Sequence, residues 1–243
     1  VTRGWIAAAM IAALAGCAET GREYVEVPLF VAGGEPSFSS DGWTLTLTRA
    51  DVAFGPLYLC TTESASPEHC ESAILELTSA VTIDGVDPSP QSVGTAFGIT
   101  GTARSAMWDY GISWLPTQTR ARPLEGAVDG EHSARFVAQV THEDGRAFEV
   151  RADLAIAPST RGVIVVRGRR VEEHEITSSD DALTVRVDPI AWWQRLDLDR
   201  LAARAADGED PVVLTPEDDA DYDALVLAMT AGELPALSWG APE

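Results

Sequence analysis

The chain contains no lysine: all seventeen basic residues are arginine, and they face 38 acidic ones, for a formal net charge of −21 over 243 residues. A field this negative repels phosphate backbones and anionic lipid, which excludes nucleic-acid binding. Arginine without lysine, together with abundant alanine, fits a GC-rich coding sequence; an acidic surface suited to strong salt is the alternative. Basic residues are missing altogether after Arg204, while ten acids follow up to Glu243. Repeats of 20–50 residues are also lacking, which argues against a propeller. No HExxH, GxSxG, Walker A or CxxC motif occurs, so no catalytic residue, resident metal or cofactor is assigned from motifs. Carboxylates are so numerous that any pair of them is uninformative about glycosidase-type chemistry.

What is present begins with an address. Arg3 is followed by the ten-residue apolar run Trp5–Leu14, then by small residues and a cysteine. That is the order of a secretory signal, and the run is too short to span a bilayer, which takes about 20 apolar residues. The tetrad Leu14-Ala15-Gly16-Cys17 resembles the lipobox of bacterial lipoproteins. The resemblance implies cleavage before Cys17, diacylglycerol on its sulfur and acylation of its new amino group. Several chains anchor durably, at ~0.8 kcal/mol per buried CH₂. It further implies membrane attachment through that lipid, and Ala18 after the cysteine favours the outer membrane. Residues 1–16 are thus expected as signal peptide and 17–40 as lipidated terminus and tether.

Cys60 and Cys70 are the remaining thiols. In an oxidising compartment two leftover thiols tend to pair. Closing the polar loop between them contributes roughly 2.5–3 kcal/mol in the chain-entropy model. A metal site there would add His69, but adjacent positions 69 and 70 rarely converge on one ion.

Period-two alternation dominates residues 41–188. Trp43, Leu45 and Leu47 share one face and Thr44, Thr46 and Thr48 the other; Phe148, Val150, Ala152, Leu154 and Ile156 repeat the pattern. Further strands are expected at Tyr24–Val31, Leu57–Cys60, Ala73–Ile83, Thr102–Trp114, His132–Thr141, Val171–Ile176 and Leu183–Val187. Val163–Val166, apolar on both faces, is expected to be central in its sheet. Asp144-Gly145 predicts a hairpin whose turn residues both take positive φ. About ten strands without alternating helices predict a mainly β fold, an antiparallel β-sandwich or partly open barrel. Asp188-Pro189 then starts a helix, Asp199 caps a second one ended by Gly208, and Thr215-Pro216-Glu217-Asp218 opens a third. Residues 189–243 are expected as an acidic helical appendage packed on the sandwich, with the last dozen residues frayed.

The sharpest candidate site is aromatic. Trp108, Tyr110, Ile112 and Trp114 alternate with Asp109, Gly111 and Ser113, so they fall on one face of a single strand. Such a stripe is either a stacking platform for a glycan or inter-sheet core. Of Trp192 and Trp193, neighbours on a short helix, one is expected to bury and the other to be an exposed anchor for a partner. His174 shares a strand face with Glu172, as a base or ligand, or as charge inserted into an edge strand. The stretch Glu217–Asp223 offers hard oxygens for calcium without EF-hand order, and its acids equally suit a helix N-terminus.

The blocks Phe54–Cys60, Trp108–Leu115 and Asp188–Leu201 resemble a group of lipoproteins from predatory, GC-rich bacteria that carries no assigned activity. A weaker likeness is to periplasmic copper-binding lipoproteins of the methanobactin-associated kind, whose extra cysteines this chain lacks. The expectation is a membrane-anchored binding or interaction module with a protein or glycan partner. A metal-binding accessory protein for copper or calcium is the alternative, and a polymer hydrolase comes third.

Overall fold

The computed structural model describes residues 21–63, 73–217, 219–232 and 235–242; Cys17, His69, Cys70 and Asp218 lie outside them. The fold is mainly β, as the alternation predicts, with three short helices among the described residues. Two large sheets share the work. One has eight strands, in the order β13 (Val166–Ile176), β8 (Gly101–Trp108), β4 (Leu57–Cys60), β5 (Ala73–Leu77), β7 (Gln91–Ile99), β1 (Tyr24–Ala32), β14 (Leu183–Arg186) and β16 (Ala236–Trp239). The other runs β15 (Val212–Leu214), β12 (Ala147–Leu154), β11 (Ala134–His142), β3 (Trp43–Phe54) and β2 (Ser37–Ser40), with β6 (Val81–Asp84) also pairing β3. A two-stranded piece, β9 (Ile112–Ser113) with β10 (Arg122–Pro123), stands apart. Pairing is antiparallel except where β1 meets β14 and β12 meets β15.

Alternation explains which faces meet. Trp43, Leu45 and Leu47 of β3, and Phe148, Val150, Ala152 and Leu154 of β12, enter one continuous core with Val25, Val27 and Leu29 of β1. The chain changes sheets repeatedly through short connections, among them β3 to β4 at Gly55-Pro56 and β5 to β6 at Thr78–Ala80. Ala73–Ile83, expected as one strand, is therefore split between the two sheets. The strand β7 was hidden by its glycines. Gly98 is required there, because a Cβ at that position would lie 1.9 Å from the Ile74 carbonyl oxygen on β5.

The eight-stranded sheet curls until its two edges, β13 and β16, approach each other. His174 of β13 stacks on Trp239 of β16, with ring centroids 4.0 Å apart and planes 7° from parallel. Arg169 of β13 donates to the Thr230 carbonyl at 3.3 Å. The VIVV segment is buried at three of its four positions, but only Val166 belongs to a strand, and that strand is at the edge rather than central. The hairpin at Asp144-Gly145 forms, but only Gly145 has positive φ, so the turn is not the one with two left-handed residues. That conformation occurs instead at Asp41-Gly42 and Asp129-Gly130.

The helices are α1 (Pro189–Trp193), α2 (Leu198–Ala206) and α3 (Ala220–Ala231). Pro189 opens α1 as expected, without a capping hydrogen bond from the Asp188 side chain. Helix α2 is capped by Asp197, not Asp199, since Asp197 Oδ1 accepts from the Arg200 N–H. Asp219 caps α3, accepting from the N–H groups of Asp221 and Tyr222. The end of the chain was expected to fray; it instead supplies β16, paired with β14 over four residues. Strand β15 is flanked on its open side by an ion pair. Arg204 of α2 donates to the Val213 carbonyl at 3.1 Å, Glu209 accepts the Val213 N–H at 3.4 Å, and the pair itself closes at 2.7 Å.

Candidate functional site

The aromatic stripe does not survive as one face. Strand β8 ends at Trp108, and Gly111 takes φ +72°, a left-handed conformation that breaks the alternation before β9. Trp108, Tyr110 and Ile112 are buried, as is Trp192. Tyr110 packs edge-on to Trp192, centroids 6.0 Å apart, and its hydroxyl donates to the Met229 carbonyl at 3.0 Å, tying the β8–β9 corner to α3. Burial pushes the Tyr110 phenol up to about 12. Trp114 departs from this group: it is half-buried, and its indole N–H reaches the Gln118 carbonyl within its own loop. None of Trp108, Tyr110 and Trp192 offers a ring face to solvent.

Both Trp192 and Trp193 are buried, so the expected exposed anchor is absent from this pair. The reason is the brevity of α1. Its single turn is packed so that both indoles meet Phe136 of the opposite sheet, at 6.2 and 5.7 Å, each nearly perpendicular.

The polar half of the same sequence block is where burial is chemically costly. Asp109 is fully buried. Its Oδ2 accepts from Ser113 Oγ at 2.6 Å and its Oδ1 from the Val165 N–H at 2.8 Å. Burial pushes the carboxyl up to about 6, against those two hydrogen bonds, which pull it down. Nearby, Tyr58, Cys60, Met107 and Ile164 form a second, smaller apolar cluster on the outer side of the eight-stranded sheet. The Tyr58 phenol is pushed up to about 12 by burial, reinforced by the carboxylates of Glu76 and Asp109. The available signal for Asp109 was a single acid enclosed by apolar residues in MWDYGI; its partner Val165, 56 positions away, left none.

His174 lies elsewhere. It pairs in register with Ala103, whereas Trp108 pairs with Val166, so the two sites are separated by five residues of β8, about 17 Å of strand, the facing stretch of β13 being bulged. His174 Nε2 contacts Asp180 Oδ1 at 3.1 Å, and the neighbouring Glu173 and Glu175 are taken by Arg104 and Thr102. Two of the acids proposed for calcium are engaged: Asp219 caps α3 and binds Arg204, and the buried Asp221 binds Arg200. Among the described residues no three His, Cys, Asp or Glu side chains gather as a metal group.

One open groove, about 710 Å³, crosses the outer face of the six-stranded sheet between Arg49, Arg135, Arg151 and Val213. Each of its arginines is matched by an acid on the same face: Asp51 for Arg49, Asp153 and Asp129 for Arg135, Glu149 for Arg151. Compared with known proteins, the chain matches no family model, no curated protein and no solved structure. What the fold defines is thus a class: a two-sheet β protein with a curled eight-stranded sheet and interleaved short helices.

Proposed function

We propose that the chain is an exported envelope lipoprotein, anchored through acylated Cys17, whose β body is a non-catalytic binding or interaction module for a protein or glycan. The observation that carries the anchor is Leu14-Ala15-Gly16-Cys17 directly after a ten-residue apolar run. The binding reading is supported by the dispersal of the reactive groups. Asp109 is enclosed with Ser113, His174 sits about 17 Å of strand away at a sheet seam, and Trp108 of the stripe packs the interior. A covalent mechanism needs a nucleophile, a base and a reacting atom within hydrogen-bond reach of one another. Recognition then falls to loops, exposed side chains and the charged outer face of the six-stranded sheet. Pairing of Cys60 with Cys70 belongs to the same proposal, because it depends on export.

The test is expression of the full-length gene in a bacterium fed labelled palmitate. Label on the wild-type protein, lost in Cys17→Ser, is the expected result; an unlabelled wild-type protein refutes the anchor. Alkylation before and after reduction reads the disulfide in the same sample.

A further inference from the structure

Among the described residues, two of the four exposed large hydrophobic side chains stand together. Tyr24 is 62% and Phe97 47% exposed, whereas the other two, Val213 and Leu227, lie singly on β15 and α3. Tyr24 of β1 is opposite Ile99 of β7, and Glu26 is opposite Phe97, so Tyr24 and Phe97 are diagonal neighbours on the outer face of the eight-stranded sheet. The half-buried Ile99 lies beside them.

Covalent geometry fixes where this patch lies relative to the anchor. The chain is held to the body from Glu23 onward. The Glu23 N–H donates to Thr100 Oγ1 at 3.0 Å, its carbonyl accepts from the Thr100 N–H at 2.8 Å, and its carboxylate accepts from Ser178 at 3.1 Å. Six peptide units separate Cys17 from Glu23, at most about 20 Å when fully extended. A body of about 220 residues is on the order of 45 Å across. An acyl chain on Cys17 therefore keeps the Tyr24 end of β1 within about 20 Å of the bilayer, so a patch at that end is among the surfaces that meet it.

We infer that the Tyr24–Phe97 patch rests on the lipid headgroups, so that the outer face of the eight-stranded sheet is the membrane-facing side of the protein. This rests on the lipoprotein reading above. Tyr24, an aromatic ring with one polar edge, is a side chain that suits the headgroup layer, and Phe97 adds apolar area beside it. Glu26 and Glu76 flank Phe97 in the same cross-strand row. With the net charge of −21, they select a zwitterionic surface over an anionic one.

The experiment uses the full chain made in a bacterium, with acylation of Cys17 verified by intact mass. The protein is reconstituted into phosphatidylcholine vesicles carrying a photoactivatable phosphatidylcholine, and adducts are mapped by peptide mass spectrometry. Adducts are expected severalfold more often on segments 22–26 and 95–99 than on 211–216. They should fall severalfold in Tyr24→Ser/Phe97→Ser and when half the lipid is phosphatidylglycerol. Even labelling, labelling concentrated on 211–216, or labelling unchanged in the double variant overturns the inference in a protein shown to be acylated. Absence of the acyl mass instead refutes the anchor itself.

Discussion

Replacing Asp109 by asparagine isolates the cost of burying one charge. In the folded chain the carboxyl is enclosed and pushed from 3.8 to about 6. The folded protein therefore holds this proton between about pH 4 and 6, where the unfolded chain has released it. Stability from this group is fully present below pH 4 and is lost as pH rises through 6. At 1.36 kcal/mol per factor of ten, the loss is about 3 kcal/mol. Asparagine keeps the geometry: its oxygen accepts from the Val165 N–H and its amide donates to Ser113 Oγ, with no charge to desolvate. Urea unfolding of both proteins from pH 4.5 to 8 measures the effect. The other carboxylates cancel in the difference between the two, which should shift in favour of Asp109→Asn by about 2–3 kcal/mol across that range. A difference that stays flat with pH would show that the carboxyl is solvated or compensated in the folded state, and the reasoning would fail.

Other perturbations follow from single contacts. Gly98→Ala drives a Cβ into the Ile74 carbonyl oxygen and should destabilise by at least about 3 kcal/mol, read as a lower urea midpoint. Trp193→Ala empties the contact with Phe136 and should cost about 3–5 kcal/mol, with loss of near-ultraviolet circular dichroism if the closure of the core loosens. Arg200→Ala leaves the buried Asp221 with only Arg204, 4.0 Å away, and should cost about 1–3 kcal/mol at pH 7, partly restored by a second change, Asp221→Asn. His174→Ala removes the stack on Trp239. Hydrogen exchange should quicken at Ala236–Trp239, while global stability drops by only about 1 kcal/mol.

Strands with strict alternation were legible from residues alone, because burying one face imposes period two: β3 and β12 are the plain cases. Strand β7 was not, since its glycines serve a close backbone approach that depends on β5. The C-terminal strand was hidden because its hydrogen bonds go to β14, fifty residues away in sequence. The Asp-Gly pair at 144–145 located a hairpin without fixing its turn, because loop length decides how many residues need positive φ. The candidate site was less legible still. Aromatics at alternate positions look the same whether they line a platform or a core, and here Gly111 decides by turning the chain between them. Asp109 was visible as an acid among apolar neighbours, but its enclosure depends on Val165, brought in by β13.

The Arg204–Glu209 pair beside β15 has a consequence for molecules held close together on a surface. An edge strand normally exposes a free N–H and C=O in the alignment that a foreign strand needs. At Val213 both are already occupied by side chains of the same molecule. A neighbouring copy meeting this border finds no unpaired main chain to join, so crowding at an interface does not extend the sheet from one polypeptide into the next along that border.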